Sequence, residues 1–274
     1  MDAPGTDKLF AGSIPELYDT HLVPLIFAPY AEDLARRIVA LQPRRVLEVA
    51  AGTGAVTRAL AAALPADVEI IATDLNPPML ERAAAIGTAR PVRWQPADAL
   101  QLPFDDASFD VVACQFGVMF FPDKPRAFAE ARRVLKPGGT FVFNVWDRLN
   151  ANEFADTVTT ALGGVYPGDP PRFMARTPHG YHERSLIAAD LQAAGFDVAA
   201  LRFETIEVRS RAPSAEAVAT AYCQGTPLRN EIEGRGSPGL ADATAACAQA
   251  LRERFGAGEI EGRIRAHVIA IAAP

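Results

Sequence analysis

Residues 45–54, Arg-Val-Leu-Glu-Val-Ala-Ala-Gly-Thr-Gly, decide the reading of this chain. A β-branched, apolar run stops at a glycine-rich turn, and Ala55–Leu64 (AVTRALAAAL) follows as a helix of good formers. Glycines there let the backbone approach a ligand closely, and a helix N-terminus presents unpaired N–H groups. The next strand, Val68–Thr73, delivers Asp74, 20 residues after Gly54. A carboxylate at that place can accept hydrogen bonds from two ribose hydroxyls. Outward from this unit the alternation continues. Tyr30–Val39 reads as an amphipathic helix, Pro78–Ile86 as a helix with proline in its first turn, and Val92–Gln95 and Phe109–Gln115 as strands. Pro125–Leu135 reads as a helix stopped by Pro137-Gly138-Gly139, and Thr140–Trp146 as a fifth strand. Strands alternating with helices imply βαβ units and a parallel, Rossmann-like sheet covered on both faces.

Beyond Asp147 the rhythm breaks. Residues 150–182 hold a helix and a Pro/Gly-rich stretch. Ser185–Ala194 is helical, Phe203–Val208 a strand, 212–258 two or three helices, and Arg265–Ala272 a last strand. Pro15, Pro24 and Pro29 are expected to interrupt any long helix in residues 1–30. The expectation is one α/β domain over 1–274: a doubly wound, open seven-stranded sheet with helical lid insertions. Residues 31–149 form the cofactor-binding core, 183–211 and 259–274 complete the sheet, and 1–30, 150–182 and 212–258 cover the acceptor side.

Composition narrows the function. A net charge of −6, with no block of like charge, argues against a nucleic-acid partner. No run approaches the roughly 18–20 apolar residues of a membrane span. Cys114, Cys223 and Cys247 have no paired spacing and read as free thiols of a reducing compartment. The opening residues lack the basic start of a signal peptide, so the expected location is the cytoplasm. No His/Cys/Asp cluster has ligand spacing, so no metal is expected, and no G-x-S-x-G elbow marks a hydrolase. A small-molecule partner is expected, and the oligomeric state is left open.

A nicotinamide dehydrogenase would want G-x-G-x-x-G, but the third position is Thr57. VLEVAAGTG instead resembles motif I of class I S-adenosylmethionine-dependent methyltransferases. Thr73–Leu80 resembles their acidic loop. Asp98-Ala99, Leu102-Pro103-Phe104 and Asp106–Asp110 resemble the approach to their fourth strand, and Arg133–Gly139 the turn before the fifth. The closest flavour is the ubiquinone and menaquinone C-methyltransferase group. The resemblance implies S-adenosylmethionine as cofactor, with Glu48 under its sulfonium or amino end and Ala50, Gly52, Thr53 and Gly54 along its methionine portion. Asp74 would hold the ribose, Leu75 and Met79 the adenine faces, and Asp98 and Ala99 the adenine edge. Gln115 and Phe116 would face the methionine end, Met119 the floor of the acceptor pocket, and Tyr18 the cofactor carboxylate. Ala50-Ala51 departs from the family's Gly-x, and its methyl is expected to alter the loop slightly. His179 and His182 are the candidate general bases for an acidic acceptor, with Tyr181 between them in the pocket. His21 is weaker, and His267 reads as structural. A cofactor-binding protein without transferase activity is the alternative from another class.

Overall fold

The computed structural model describes Asp7, Phe10 and residues 12–274. The remaining opening residues, read above against a signal peptide, lie outside the described set. Two compact units divide the chain. The sheet unit comprises Ala28–Val145, Tyr181–Ile206 and His267–Pro274; the helical unit comprises the described residues up to Phe27, Trp146–Gly180 and Glu207–Ala266.

The strands are β1 (Arg45–Val49), β2 (Glu69–Asp74), β3 (Arg93–Pro96), β4 (Phe109–Gln115), β5 (Leu135–Trp146), β6 (Arg202–Ala212) and β7 (Ile260–Ala272). They form one seven-stranded sheet in the order β3-β2-β1-β4-β5-β7-β6, with the first five paired in parallel. The last pairing with β5 runs the other way: Gly138 N–H donates to the Ala273 carbonyl, and Asp147 N–H to that of Arg265. The sheet is therefore mixed.

Helices occupy both faces in the sheet unit. Ala31, Leu34, Ala35 and Ile38 of Ala28–Ala40 repeat at helical spacing and pack with Val56 and Leu60 of Ala55–Ala63. Beneath them lie Val46, Val111, Ala113 and Val142 of β1, β4 and β5. Each fully buried Leu, Ile or Val among them contributes roughly 1.5–3 kcal/mol against the unfolded chain. On the opposite face Phe128, from Lys124–Val134, meets Phe141 and Phe143 at 5.5 and 5.4 Å between ring centroids. That helix starts where the Asp123 carboxylate accepts the Arg126 N–H at 3.0 Å.

In the helical unit, Ile14–Leu17 leads into a π-helix, Tyr18–Phe27. Three helices are built from Glu153–Val165, Ala215–Gln224 and Leu240–Phe255, with short turns Phe173–Arg176 and Leu228–Glu233. Arg176 bonds both Asp7, at 2.6 Å, and Glu231, at 2.6 Å.

Two sequence expectations need correction. The prolines do not interrupt the N-terminal helix, since helical backbone continues from Ile14 to Ala40. Pro15 sits in a first turn, where its missing N–H costs nothing, and Pro24 falls in the π-helical stretch, which runs on through it without the one N–H it lacks. Nor does Pro137-Gly138-Gly139 separate helix from strand. Leu135 already pairs with Phe109, and the register then skips to Val111–Thr140, a bulge that Gly138 accommodates at φ 77°. β6 and β7 also run longer than their alternation suggests.

Candidate functional site

The strand order reverses between β1 and β4, so their adjacent carboxyl ends open a crevice. At the end of β1 the chain turns through left-handed backbone at Ala50 (φ 54°), Gly52 (57°) and Gly54 (83°). Ala50 bears its methyl in that region, and Gly117 houses it: a Cβ on Gly117 would lie 2.5 Å from the Ala50 Cβ. Gly54 is required twice over, by its positive φ and because a Cβ there would lie 2.8 Å from the Trp94 ring.

Asp74, at the end of β2, ties the turn down. Its Oδ2 accepts the Gly52 N–H at 2.8 Å and its Oδ1 the Asn76 N–H at 2.8 Å. Burial raises its pKa against these bonds, which favour the carboxylate. Glu48 lies fully buried on β1, with Thr57 donating to its Oε2 at 2.5 Å. Burial pushes the Glu48 carboxyl up to about 8. The departure at position 57 from a glycine pattern thus has a use that the sequence alone did not suggest.

The raised Glu48 value has a sign that can be checked. The folded protein holds this proton up to about pH 8, whereas the unfolded chain releases it near 4.5. Stability contributed by the protonated form is therefore lost as pH rises between about 5 and 8. The urea midpoint should fall across that window and level off above it, and Glu48→Gln should flatten the curve. An equal slope in the variant would remove Glu48 as its cause.

Beyond Asp74, Leu75 is 52% exposed while Met79 is buried in Pro77–Ile86. Asp98 is exposed and caps its own turn, accepting the Leu100 N–H at 2.9 Å, with Ala99 buried beside it. At the end of β4, Gln115 is half-buried, and Phe116 takes φ 52° with its ring 5.3 Å edge-on from Tyr30. Met119 is buried in the turn Val118–Phe120. Thr53, Gly54, Glu48 and Asp74 are thus drawn together with the ends of β1, β2 and β4.

The proposed bases are placed differently. His179 belongs to the helical unit, where its Nδ1 lies 2.8 Å from the Asp147 carbonyl. The Asn152 amide nitrogen lies 3.5 Å from the same ring nitrogen. His182, in the sheet unit, lies 3.1 Å from the Glu183 carboxylate. Tyr181, in the same unit, donates to Asp190 at 2.6 Å under the ammonium of Lys124. Tyr18 stacks on Phe27 at 5.0 Å in the helical unit. His267 pairs with Thr205 at 2.9 Å. Among the described residues, no three His, Cys, Asp or Glu side chains gather as a metal site, and no helix is long and apolar enough to cross a membrane. All three cysteines are buried free thiols.

Residues 47–143 match a family described as a methyltransferase domain. A demethylmenaquinone methyltransferase of Deinococcus radiodurans is 44% identical over 134 residues, covering 48% of this chain and 52% of that protein. The demethylmenaquinone methyltransferase of Thermus thermophilus is 34% identical over 167 residues, 57% of this chain and 76% of that one. The chain belongs to the methyltransferases that use S-adenosylmethionine. The matched span is about half the length of the Deinococcus relative. A protein structure from Bacillus halodurans, 21% identical, superimposes with a TM-score of 0.56 over 89% of this chain and 98% of its own, which supports the fold.

The residues of this methyltransferase fit the cofactor. Thr53 Oγ1 is buried without a hydrogen-bond partner inside the turn. Asp74 Oδ2 keeps a lone pair beyond the Gly52 N–H it accepts, while Oδ1 takes both the backbone N–H and the side-chain amide of Asn76. The apolar surface of Leu75 is open beside the cradle.

Proposed function

We propose that this methyltransferase transfers a methyl group from S-adenosylmethionine to a ring carbon of a small hydroxylated aromatic acceptor of the quinol type. The observation that carries the reading is the Asp74 carboxylate at the end of β2 gripping Gly52 after β1, beside the switch point, which holds a glycine turn and an acidic group in one cradle. In this reading Asp74 takes the ribose hydroxyls, Leu75 and Met79 the adenine faces, and Asp98 with Ala99 the adenine edge. Ala50, Gly52, Thr53 and Gly54 line the methionine portion, with Glu48 below it and Gln115 and Phe116 opposite.

The bound cofactor supplies a methyl carried on a positively charged sulfur. The protein's task is to align the acceptor with that bond and exclude water, which alone is worth several kcal/mol. A carbon acceptor also needs electron density pushed into the ring by loss of a hydroxyl proton. The acceptor class is supported by the names of the two relatives above, both of which act on demethylmenaquinone.

The test is transfer of a deuterated methyl group to 1,4-naphthalenediol kept reduced, with catechol and a primary amine as competitors. The expected product carries the label on a ring carbon of the naphthalenediol. Label on the amine or on an oxygen, or none on the diol, would reject the acceptor class.

A further inference from the structure

Thr140–Trp146 of β5 reads Thr-Phe-Val-Phe-Asn-Val-Trp, and one amide interrupts its apolar run. Asn144 is fully buried, yet neither its Oδ1 nor its Nδ2 has a hydrogen-bond partner among the described residues. Buried polar atoms of folded proteins are almost always satisfied, and leucine would fill the same volume without the penalty. Retaining an amide here calls for a partner from outside the chain.

Its position says which partner. Val142, two residues earlier, packs in the core cluster under Ala28–Ala40, and the two-residue period of a strand puts Asn144 on the same face. Val46 belongs to that cluster too, so Glu48 shares the face. Gln115 is the cross-strand partner of Asn144. The Asn144 carbonyl accepts the N–H of Phe116 at 3.1 Å, where β4 breaks into left-handed backbone. The amide therefore lies at the carboxyl end of β5, one strand beyond the pair that forms the cofactor crevice.

We propose that Asn144 is an acceptor-binding residue whose amide engages a hydroxyl of the aromatic acceptor. Nδ2 donates to the hydroxyl oxygen, or Oδ1 receives its proton, and a phenolic O–H can meet both atoms because it donates and accepts. This assignment rests on the hydroxylated-aromatic reading above and adds the residue that selects for the hydroxyl.

The experiment measures binding rather than turnover. Wild type and Asn144→Leu, each saturated with S-adenosylhomocysteine, are titrated with reduced 1,4-naphthalenediol and with 1,4-dimethoxynaphthalene, which has no hydroxyl. The variant should bind the diol at least tenfold more weakly, bind the dimethoxy compound within twofold of wild type, and melt no lower. Asn144→Val, smaller and strand-favouring, should show the same loss where leucine crowds the strand. A wild type and a folded variant that bind the diol equally would overturn the role of Asn144 and leave the acceptor reading intact. A wild type that does not bind the diol would overturn the acceptor reading, and the assignment with it.

Discussion

Replacing Asp74 with alanine should raise the dissociation constant for S-adenosylmethionine about 100-fold. Two hydrogen bonds from ribose hydroxyls to a buried carboxylate are worth roughly 1.5–3 kcal/mol each, and that factor corresponds to about 2.8 kcal/mol, close to the low end of their sum. The loss has a second origin in the protein itself. Asp74 also accepts the N–H groups of Gly52 and Asn76, each at 2.8 Å, so its removal frees the turn that it holds. Asp74→Asn separates the two origins, because its side-chain oxygen can still accept the Gly52 N–H while the charge is gone. Calorimetric titration should place it between wild type and alanine. An alanine variant that binds within threefold of wild type would sink the ribose assignment and the cradle with it.

Gly117→Ala should destabilise the protein by about 3 kcal/mol, at the upper end of what overpacking a core costs. The added methyl would stand 2.5 Å from the Ala50 Cβ and 2.7 Å from the Cys114 Sγ, and neither neighbour is the far end of a flexible side chain. For a chain of this length the melting temperature should fall by roughly 6–12 °C. Ala50→Gly alone should be nearly neutral, since φ 54° suits glycine at least as well as alanine. The double variant Ala50→Gly/Gly117→Ala should recover at least about 1 kcal/mol, the signature of two residues that share one space. Purely additive losses would show that Cys114 alone sets the clash. Activity should fall with stability, because the same strand ends carry the cofactor turn.

Much of this was legible in the sequence. The alternation of periods 2 and 3.6 over residues 30–146 dictated a sheet with helices on both faces. The glycine turn with a carboxylate one strand later pointed to the candidate cradle, because strand and turn chemistry are local. What the local pattern could not carry were contacts between segments far apart along the chain. Thr57 looked like a missing glycine until it was found to hold Glu48, nine residues away. Ala50 looked like a defect until Gly117, on the neighbouring strand's turn, was seen to make room for its methyl. Pro24 looked like a helix breaker, yet the helical backbone runs through it as a π-helix. Asn144 left a visible mark, one amide in an apolar strand, but only burial without a partner gave the mark a meaning.

The sequence alone determined the order of elements and, through its resemblance to the class I methyltransferases, the cofactor. The order of elements follows from backbone preferences and side-chain chemistry acting within a few residues. The tertiary structure decided which carboxyl has its pKa raised, which methyl fits and which amide is buried without a partner. Desolvation and close packing depend on what other strands and helices bring to a point in space, and no stretch of sequence carries that by itself.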